Sequence, residues 1–259
     1  MYSLKILLTG HKGFIGTQIY RSLKDSGYDI DGVDLGDTIP ERKYDVILHF
    51  GARTLIRNSI NAPYEYFQDG LALTVRFLEK ARVDNSIFVF PTSGSIDEPT
   101  NPYSLSKKEG IEWINLYKSL YSIKAVILKL FNIYGETSMK GAVYLFTKAA
   151  LTGEEIPVYG GGNQVRDFVH VNDLVNCVIN IVNGKVSPGE YEIGTGIGTS
   201  INDLIKKVEF ITGKKVKRTD QPFLLKEAPS LFAKNPLPKN PIKLDEGIRV
   251  VMENLKRTN

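Results

Sequence analysis

The sequence is poor in the residues that would announce several kinds of chemistry. Cysteine occurs once in 259 residues, as Cys177, so no disulfide framework can form within one chain. Cys177 lies in the apolar pattern VNCVINIV and reads as a small core residue rather than a nucleophile. A reducing, cytoplasmic setting is therefore expected. No apolar run approaches the ~20 residues needed to span a bilayer, so no membrane association is expected. Met1-Tyr2-Ser3 leads straight into a strand pattern, so no signal peptide is expected. The net charge is only +4, and it is spread too evenly to suit nucleic acid. The one basic run, Lys214 to Arg218, reads as a solvated face. No metal site is expected. What remains is an ordinary globular composition, 42% hydrophobic and 24% charged, at a length that suits one two-lobed domain or two small ones.

Against that background the stretch LKILLTGHKGFIG, Leu4 to Gly16, stands out. Leu4, Ile6, Leu7 and Leu8 make a short apolar run suited to a buried parallel strand. Gly10, Gly13 and Gly16 follow at G-x-x-G-x-x-G spacing. Ile15, Ile19 and Leu23 then mark one face of a helix that Gly27 ends. A strand, a glycine turn and a helix N-terminus form an anion cradle: backbone N–H groups and the helix dipole face a pyrophosphate, and glycine permits close approach. Lys12, Phe14 and Ile15 lie within the same turn and count among the expected cofactor contacts.

A second strand, Asp29 to Val33, ends in Asp34, 24 residues after Gly10. A carboxylate there accepts from both adenosine ribose hydroxyls and repels a 2′-phosphate, which favours NAD over NADP. Lys12 pulls the other way, since a cation in the turn could hold that phosphate. Tyr44 to Phe50 is the next strand, starting only ten positions after Asp34. A helix and a further strand do not fit in that interval, so one unit of the sheet is expected to be missing. Gly51 and Ala52 end this strand with small residues suited to a cofactor. His49, inside the apolar run, reads as a hydrogen-bonded core histidine.

Pro63 to Arg82 reads as one long amphipathic helix, and Ser86 to Phe90 as a buried strand ending in the polar loop Pro91 to Ser95. Ligands in open α/β sheets sit at such strand ends. Pro102-Tyr103 opens a helix to about Tyr121. Tyr103 and Lys107 are four apart and share a face. A tyrosine of pKa ~10 is a poor base at neutral pH, and an ammonium one turn away, together with the positive nicotinamide of NAD⁺, is expected to lower it. Ser93 is placed to hydrogen-bond the same substrate oxygen. Further on, Ile123 to Phe131 and Tyr191 to Gly196 read as strands. Helices are expected over Gly141 to Leu151, Asn172 to Asn183, Ile201 to Gly213 and Leu244 to Lys256. No internal repeat is present.

In sequence, TGHKGFIG, YDVILHFGA, PTSGS, YSLSK, KLFNIYG, GGGNQVRDFVHVNDL and YEIGTGIGTSI are similar to the motifs of the extended short-chain dehydrogenase/reductase family. The NAD-dependent nucleotide-sugar epimerases and dehydratases are the group most resembled, over nearly the whole chain. The resemblance implies a Rossmann-like, doubly wound parallel α/β sheet, here shortened, with a small C-terminal substrate-binding lobe. The expected division is 1–134 for the dinucleotide domain, with 166–184 returning to it, and 135–165 with 185–259 for the substrate lobe.

It further implies Gly10, Gly13 and Gly16 as pyrophosphate glycines, Asp34 as the ribose carboxylate, Ser93 as the catalytic hydroxyl, Tyr103 as the base and Lys107 as its lysine, which also binds the nicotinamide ribose. Asn132 resembles a contact to the substrate's nucleotide, and Arg166 an arginine that grips its diphosphate, for which the planar guanidinium is suited. The implied reaction is inversion at C4 of a nucleotide sugar through a 4-keto intermediate. Tyr103 takes the hydroxyl proton while hydride passes to NAD and returns to the other face. A 4-ketoreductase and a non-catalytic NAD-binding protein are the alternatives.

This chain also departs from the resemblance in several places. Gly94 and Ser95 stand where dehydratases carry Asp-Glu, which argues against a 4,6-dehydratase. Tyr103 follows Ser93 by only ten positions. Gly70 replaces a family asparagine. The second phosphate-binding arginine is absent, with Lys226 as the nearest substitute. A homodimer built on the helices Pro63 to Arg82 and Tyr103 to Tyr121 is also implied; Trp113 and Tyr117 suit its contact face and equally suit the core.

Overall fold

The computed structural model describes residues 4–94, 96, 99–222 and 228–258. The elements are β1 (Lys5–Thr9), α1 (Phe14–Asp25), β2 (Asp29–Val33), β3 (Val46–His49), α2 (Ile56–Asn61), α3 (Pro63–Tyr66), α4 (Leu73–Asp84), β4 (Ile87–Ser93), α5 (Pro102–Tyr121), β5 (Lys124–Leu130), β6 (Asn132–Tyr134), α6 (Ala142–Thr152), β7 (Glu155–Tyr159), β8 (Val165–His170), α7 (Val171–Val182), β9 (Gly189–Ile193), β10 (Gly198–Ser200), α8 (Ile201–Thr212), β11 (Lys217–Gln221), β12 (Ser230–Leu231) and α9 (Leu244–Thr258). The chain divides into two compact units, 1–129 with 175–191, and 130–174 with 192–259.

The first unit is built on a six-stranded sheet in the order β2-β1-β3-β4-β5-β9. β1 runs parallel to both β2 and β3, and β3 to β4. Leu7, Ile47, Phe88 and Ile127 come from four of these strands and pack with Phe77 and Leu78 of α4 and Ile114 of α5 into one core. The Rossmann-like parallel sheet expected from the sequence is therefore present, and it is shortened where expected: β2 is an edge strand. Its outward carboxylates are engaged by the short connection. Arg42 makes two hydrogen bonds to Asp29 at 2.7 and 3.1 Å and pairs with Asp31 at 2.7 Å. Tyr44 donates to Asp31 at 2.6 Å. Charged side chains along an exposed edge also discourage pairing with a second sheet.

Two differences from the sequence reading have local causes. The expected helix over 63–82 is interrupted by a π-helical segment, Phe67–Ala72, between α3 and α4. Gly70 lies in this segment, where an added Cβ would come within 3.2 Å of Ser106 on α5. Thr74 donates its hydroxyl to the Gly70 carbonyl at 2.6 Å. Second, the chain re-enters the first unit at Val175, within α7, whereas the sequence reading begins that return at Arg166. β8 is occupied elsewhere: it pairs with β6, β10 and β12.

The second unit has its own core, in which Phe146 of α6, Leu204 and Val208 of α8, and Ile248 and Val251 of α9 pack with Phe168 of β8. Cys177 is buried. Among the described residues no helix is long and apolar enough to cross a membrane.

Candidate active site

The turn after β1 is shaped by backbone crowding. Gly10 has φ +73°, and a Cβ there would lie 2.7 Å from Gly51 Cα. At Gly16, in the first turn of α1, a Cβ would lie 2.0 Å from the Gly10 carbonyl oxygen. Gly10 N–H donates to Val33 at 2.8 Å, and Gly13 N–H to Gly10 at 3.0 Å. Gly13 caps α1 without a side-chain hydrogen bond, and the first turn holds no acidic residue, so the helix N-terminus is left for an anion. Phe14 and Ile15 are half-buried beside it. These features fit a dinucleotide pyrophosphate: a Cβ at Gly10 or Gly16 would collide with the backbone of Gly51 or Gly10 and displace the turn that forms the cradle.

A cleft of about 170 Å³ opens from this turn, lined by Gly10, Gly51, Asp34, Asp37, Leu73 and Arg76 among others. Lys12 N–H donates to Asp34 at 3.2 Å and Leu35 N–H at 2.9 Å. Asp37 accepts from Asp34 N–H at 2.8 Å and pairs with Lys12 Nζ at 3.4 Å. The Asp34 N–H hydrogen bond, with Lys12 adding, holds the Asp37 carboxyl below the usual carboxylate range. Lys12 is thus matched by an anion that sequence spacing did not assign to it. Two carboxylates line this cleft, and a carboxylate beside a ribose favours free hydroxyls over a 2′-phosphate.

Beneath the cleft His49 is fully buried, with Nδ1 2.9 Å from Thr9 Oγ1 and Nε2 3.1 Å from Thr74 Oγ1. Burial, with Lys107 adding, pushes its pKa down to about 3. It is the neutral core histidine that the apolar run suggested.

α5 begins with a capping box between Asn101 and Ser104, and with proline in its first turn. This fixes Tyr103 in the first turn and Lys107 one turn on. Both line a narrow crevice with Ala52, Arg53, Tyr66 and Gly70. Lys107 is buried. Its Nζ donates to the Pro91 carbonyl at 3.0 Å and stands 4.6 Å over the Phe90 ring. Burial pushes its pKa down to about 8. Tyr103 moves against the sequence expectation: burial, with Tyr66 adding, pushes its pKa up to about 12. The Lys107 ammonium, which donates to the Pro91 carbonyl, supplies no lowering to offset that burial. Ser93 is half-buried at the C-terminal end of β4, two residues beyond that carbonyl. Sequence reasoning missed Arg53 and Tyr66. Arg53 directly follows Gly51-Ala52 and is bound to Asp69 at 2.6 Å and Glu65 at 3.1 Å. The only signal for it was that adjacency.

In the second unit Asn132 of β6 sits opposite Phe168 of β8, and its Nδ2 donates to the Asp167 carbonyl at 3.3 Å. Arg166 of β8 is buried and donates to the Val165 carbonyl at 2.8 Å. The buried Asp167 carboxylate accepts from Thr195 Oγ1 at 2.6 Å, Gly196 N–H at 3.0 Å and Ala233 N–H at 3.2 Å. Arg166 and Asn132 are therefore set on a strand pair that Asp167 ties to two neighbouring loops. Lys226 lies outside the described residues. No cluster of three or more metal-ligating side chains occurs among the described residues.

A parallel sheet, a glycine cradle at the end of its first strand, and a Tyr–Lys pair one helical turn apart define a dinucleotide-binding α/β enzyme. The profile of the NAD dependent epimerase/dehydratase family matches residues 31–194. A Methanocaldococcus jannaschii protein named "Putative UDP-glucose 4-epimerase" is 31% identical, over 98% of this chain and 99% of that protein. That alignment spans 309 positions against the 259 residues here, so the relative carries internal segments that this chain lacks. A UDP-glucose 4-epimerase of Mycolicibacterium smegmatis is 25% identical, over 78% of this chain and 80% of that one. In fold, the chain is similar to the Thermotoga maritima UDP-glucose 4-epimerase solved with UDP-glucose (TM-score 0.87, 24% identity, 98% and 99% of the two chains covered). It is also similar to the Bacillus cereus UDP-glucuronic acid 4-epimerase solved with UDP-glucuronic acid and NAD (TM-score 0.88, 22% identity, 99% and 100% covered). The chain belongs to the NAD dependent epimerase/dehydratase family, and NAD is its cofactor class.

Proposed function

We propose that this enzyme inverts C4 of a UDP-linked sugar through a 4-keto intermediate. The observation that carries the reading is the Tyr103–Lys107 pair lining one crevice with Ala52, while the adjacent Gly51 lines the cofactor cleft. Gly94 and Ser95 supply no carboxylate where a dehydratase would need one. The cradle of Gly10, Gly13 and Gly16, with Asp34 at the ribose, would hold NAD, which supplies reversible hydride chemistry. Tyr103 removes and returns the proton of the sugar 4-hydroxyl. Ser93 hydrogen-bonds the same oxygen. Lys107, held by the Pro91 carbonyl, positions the ribose and keeps positive charge near the tyrosine. Arg166 and Asn132 are assigned to the diphosphate and the nucleotide, and Lys226 to a supporting charge.

A ketoreductase using NADPH is disfavoured by Asp37, which pairs with the Lys12 cation that a 2′-phosphate would need. We also propose a homodimer. Leu105, Trp113, Leu116 and Leu120 on α5, and Tyr64 and Phe67 before α4, are exposed and provide an apolar contact face. Sedimentation as a concentration-independent monomer contradicts that assembly.

The activity is tested by incubating UDP-glucose, UDP-N-acetylglucosamine and UDP-glucuronic acid separately with the purified protein and following the 4-epimer by proton NMR. Conversion of at least one is expected. Tyr103→Phe should lower turnover by about 10²- to 10⁴-fold with NAD still bound. Unchanged turnover in that variant contradicts the assignment of the base.

A further inference from the structure

The shortened connection after β2 leaves one wall of the cofactor cleft to residues of another element. On that wall Leu73, Arg76 and Phe77 follow one another at i, i+3 and i+4 along α4 and line the same cleft as Asp34, Asp37 and Ile39. Phe77 is buried in the core. Lys80, one turn further on, is committed to Asp84 at 2.9 Å and to the Arg42 carbonyl at 3.0 Å. Lys12 is paired with Asp37, and Arg42 with Asp29 and Asp31. Arg76 is exposed and makes no hydrogen bond or ion pair among the described residues. An uncommitted guanidinium therefore borders a cleft whose other walls include the apolar Val33, Ile39 and Leu73.

We infer that Arg76 is a specificity-determining residue for the adenosine half of the dinucleotide, its guanidinium plane stacking on the purine ring where the missing strand-helix unit would otherwise close the pocket. The chemistry favours this occupant. A guanidinium is planar and weakly hydrated, and it stacks on aromatic faces. A 2′-phosphate would instead meet the carboxylates of Asp34 and Asp37 in the same cleft. The inference rests on reading the cleft as the NAD site.

Titration calorimetry on the cofactor-stripped full chain tests it, with NAD⁺, NADP⁺, ADP-ribose and nicotinamide mononucleotide as ligands. Arg76→Leu is expected to weaken NAD⁺ and ADP-ribose by about tenfold, the scale of one stacked cation on an aromatic face, and to leave nicotinamide mononucleotide unchanged. Arg76→Lys, which keeps charge and loses the plane, is expected to restore less than half of that loss on a logarithmic scale. Unfolding temperatures without ligand should match the unaltered protein, because the side chain is exposed. Equal NAD⁺ affinity in Arg76→Leu overturns the inference, as does full recovery in Arg76→Lys. Tighter binding of NADP⁺ that disappears in Arg76→Leu overturns it too, in favour of a phosphate contact. Failure of the unaltered protein to bind any dinucleotide is a separate result: it removes the cleft reading itself.

Discussion

His49 Nε2 lies 3.1 Å from Thr74 Oγ1, and the protons around this contact can be assigned. Thr74 gives its own hydroxyl proton to the Gly70 carbonyl at 2.6 Å, so His49 donates to it. On the other side Thr9 Oγ1 accepts from Gly51 N–H at 2.8 Å and donates to His49 Nδ1. A neutral imidazole thus ties Gly51, in the floor of the cofactor cleft, to Gly70 in the π-helical segment. Replacing it by an apolar ring leaves a buried hydroxyl proton without an acceptor. His49→Phe is expected to cost about 1–3 kcal/mol of stability in urea unfolding at pH 7, and to weaken NAD binding.

The same histidine gives an acid limb to stability. Its folded pKa of about 3 lies below the ~6.5 of a free imidazole, so below pH 6.5 the unfolded chain binds the extra proton first. This contribution is complete above pH 6.5 and is lost as pH falls from 6.5 towards 3. Unfolding free energies measured at intervals between pH 7 and 4 should show the slope, and His49→Phe should lack that component.

Lys107 produces the opposite trade between fold and function. Its folded pKa of about 8 lies below the ~10.4 of a free lysine. Between those values the unfolded chain holds more protons, so stability rises as pH rises from 8 to about 10.4, and below 8 the full penalty applies. In the cofactor-free protein Lys107→Met is expected to flatten that slope and to raise stability at pH 7 by about 1–3 kcal/mol, while epimerisation is lost. A thermal melt series from pH 7 to 10.5 reads the first effect, and the NMR assay the second.

Cofactor choice turns on the pairing of Lys12 with Asp37. Asp37→Ala frees the Lys12 cation and removes one of the two carboxylates that line the cleft. The ratio of NAD⁺ to NADP⁺ affinity is expected to fall by about tenfold, the effect of ~1.4 kcal/mol, with little change in fold because Lys12 and Asp37 are both largely exposed. An unchanged ratio removes Asp37 from the account. Gly10→Ala is the matching steric control. Its Cβ meets Gly51 at 2.7 Å with φ at +73°, and it should abolish dinucleotide binding.

The parts of the site that were legible in the sequence are those written by local rules. A glycine turn between an apolar strand and a helix is the pattern of a dinucleotide cradle in a parallel sheet. Tyr103 and Lys107 share a helix face by spacing alone. The short interval from Asp34 to Tyr44 announced the missing unit, because a helix and a strand need a minimum length. What stayed hidden depends on contacts between distant segments. The π-helical turn at Gly70 answers to Ser106 on another helix. β8 takes its partners from strands far apart in sequence. The raised pKa of Tyr103 follows from its burial beside Tyr66, which spacing does not fix. Arg76 became visible once the cleft wall was assembled from α4.

In the proposed reaction C4 loses its hydrogen as hydride and never as a proton, with the hydrogen kept inside the enzyme until it returns. Epimerisation of a UDP-sugar in deuterium oxide, followed by NMR of the product, tests this directly. The account predicts a 4-epimer that carries protium at C4 and forms without added cofactor. Deuterium at C4 of the product, or no epimer from any UDP-sugar by a protein that holds NAD, would contradict it.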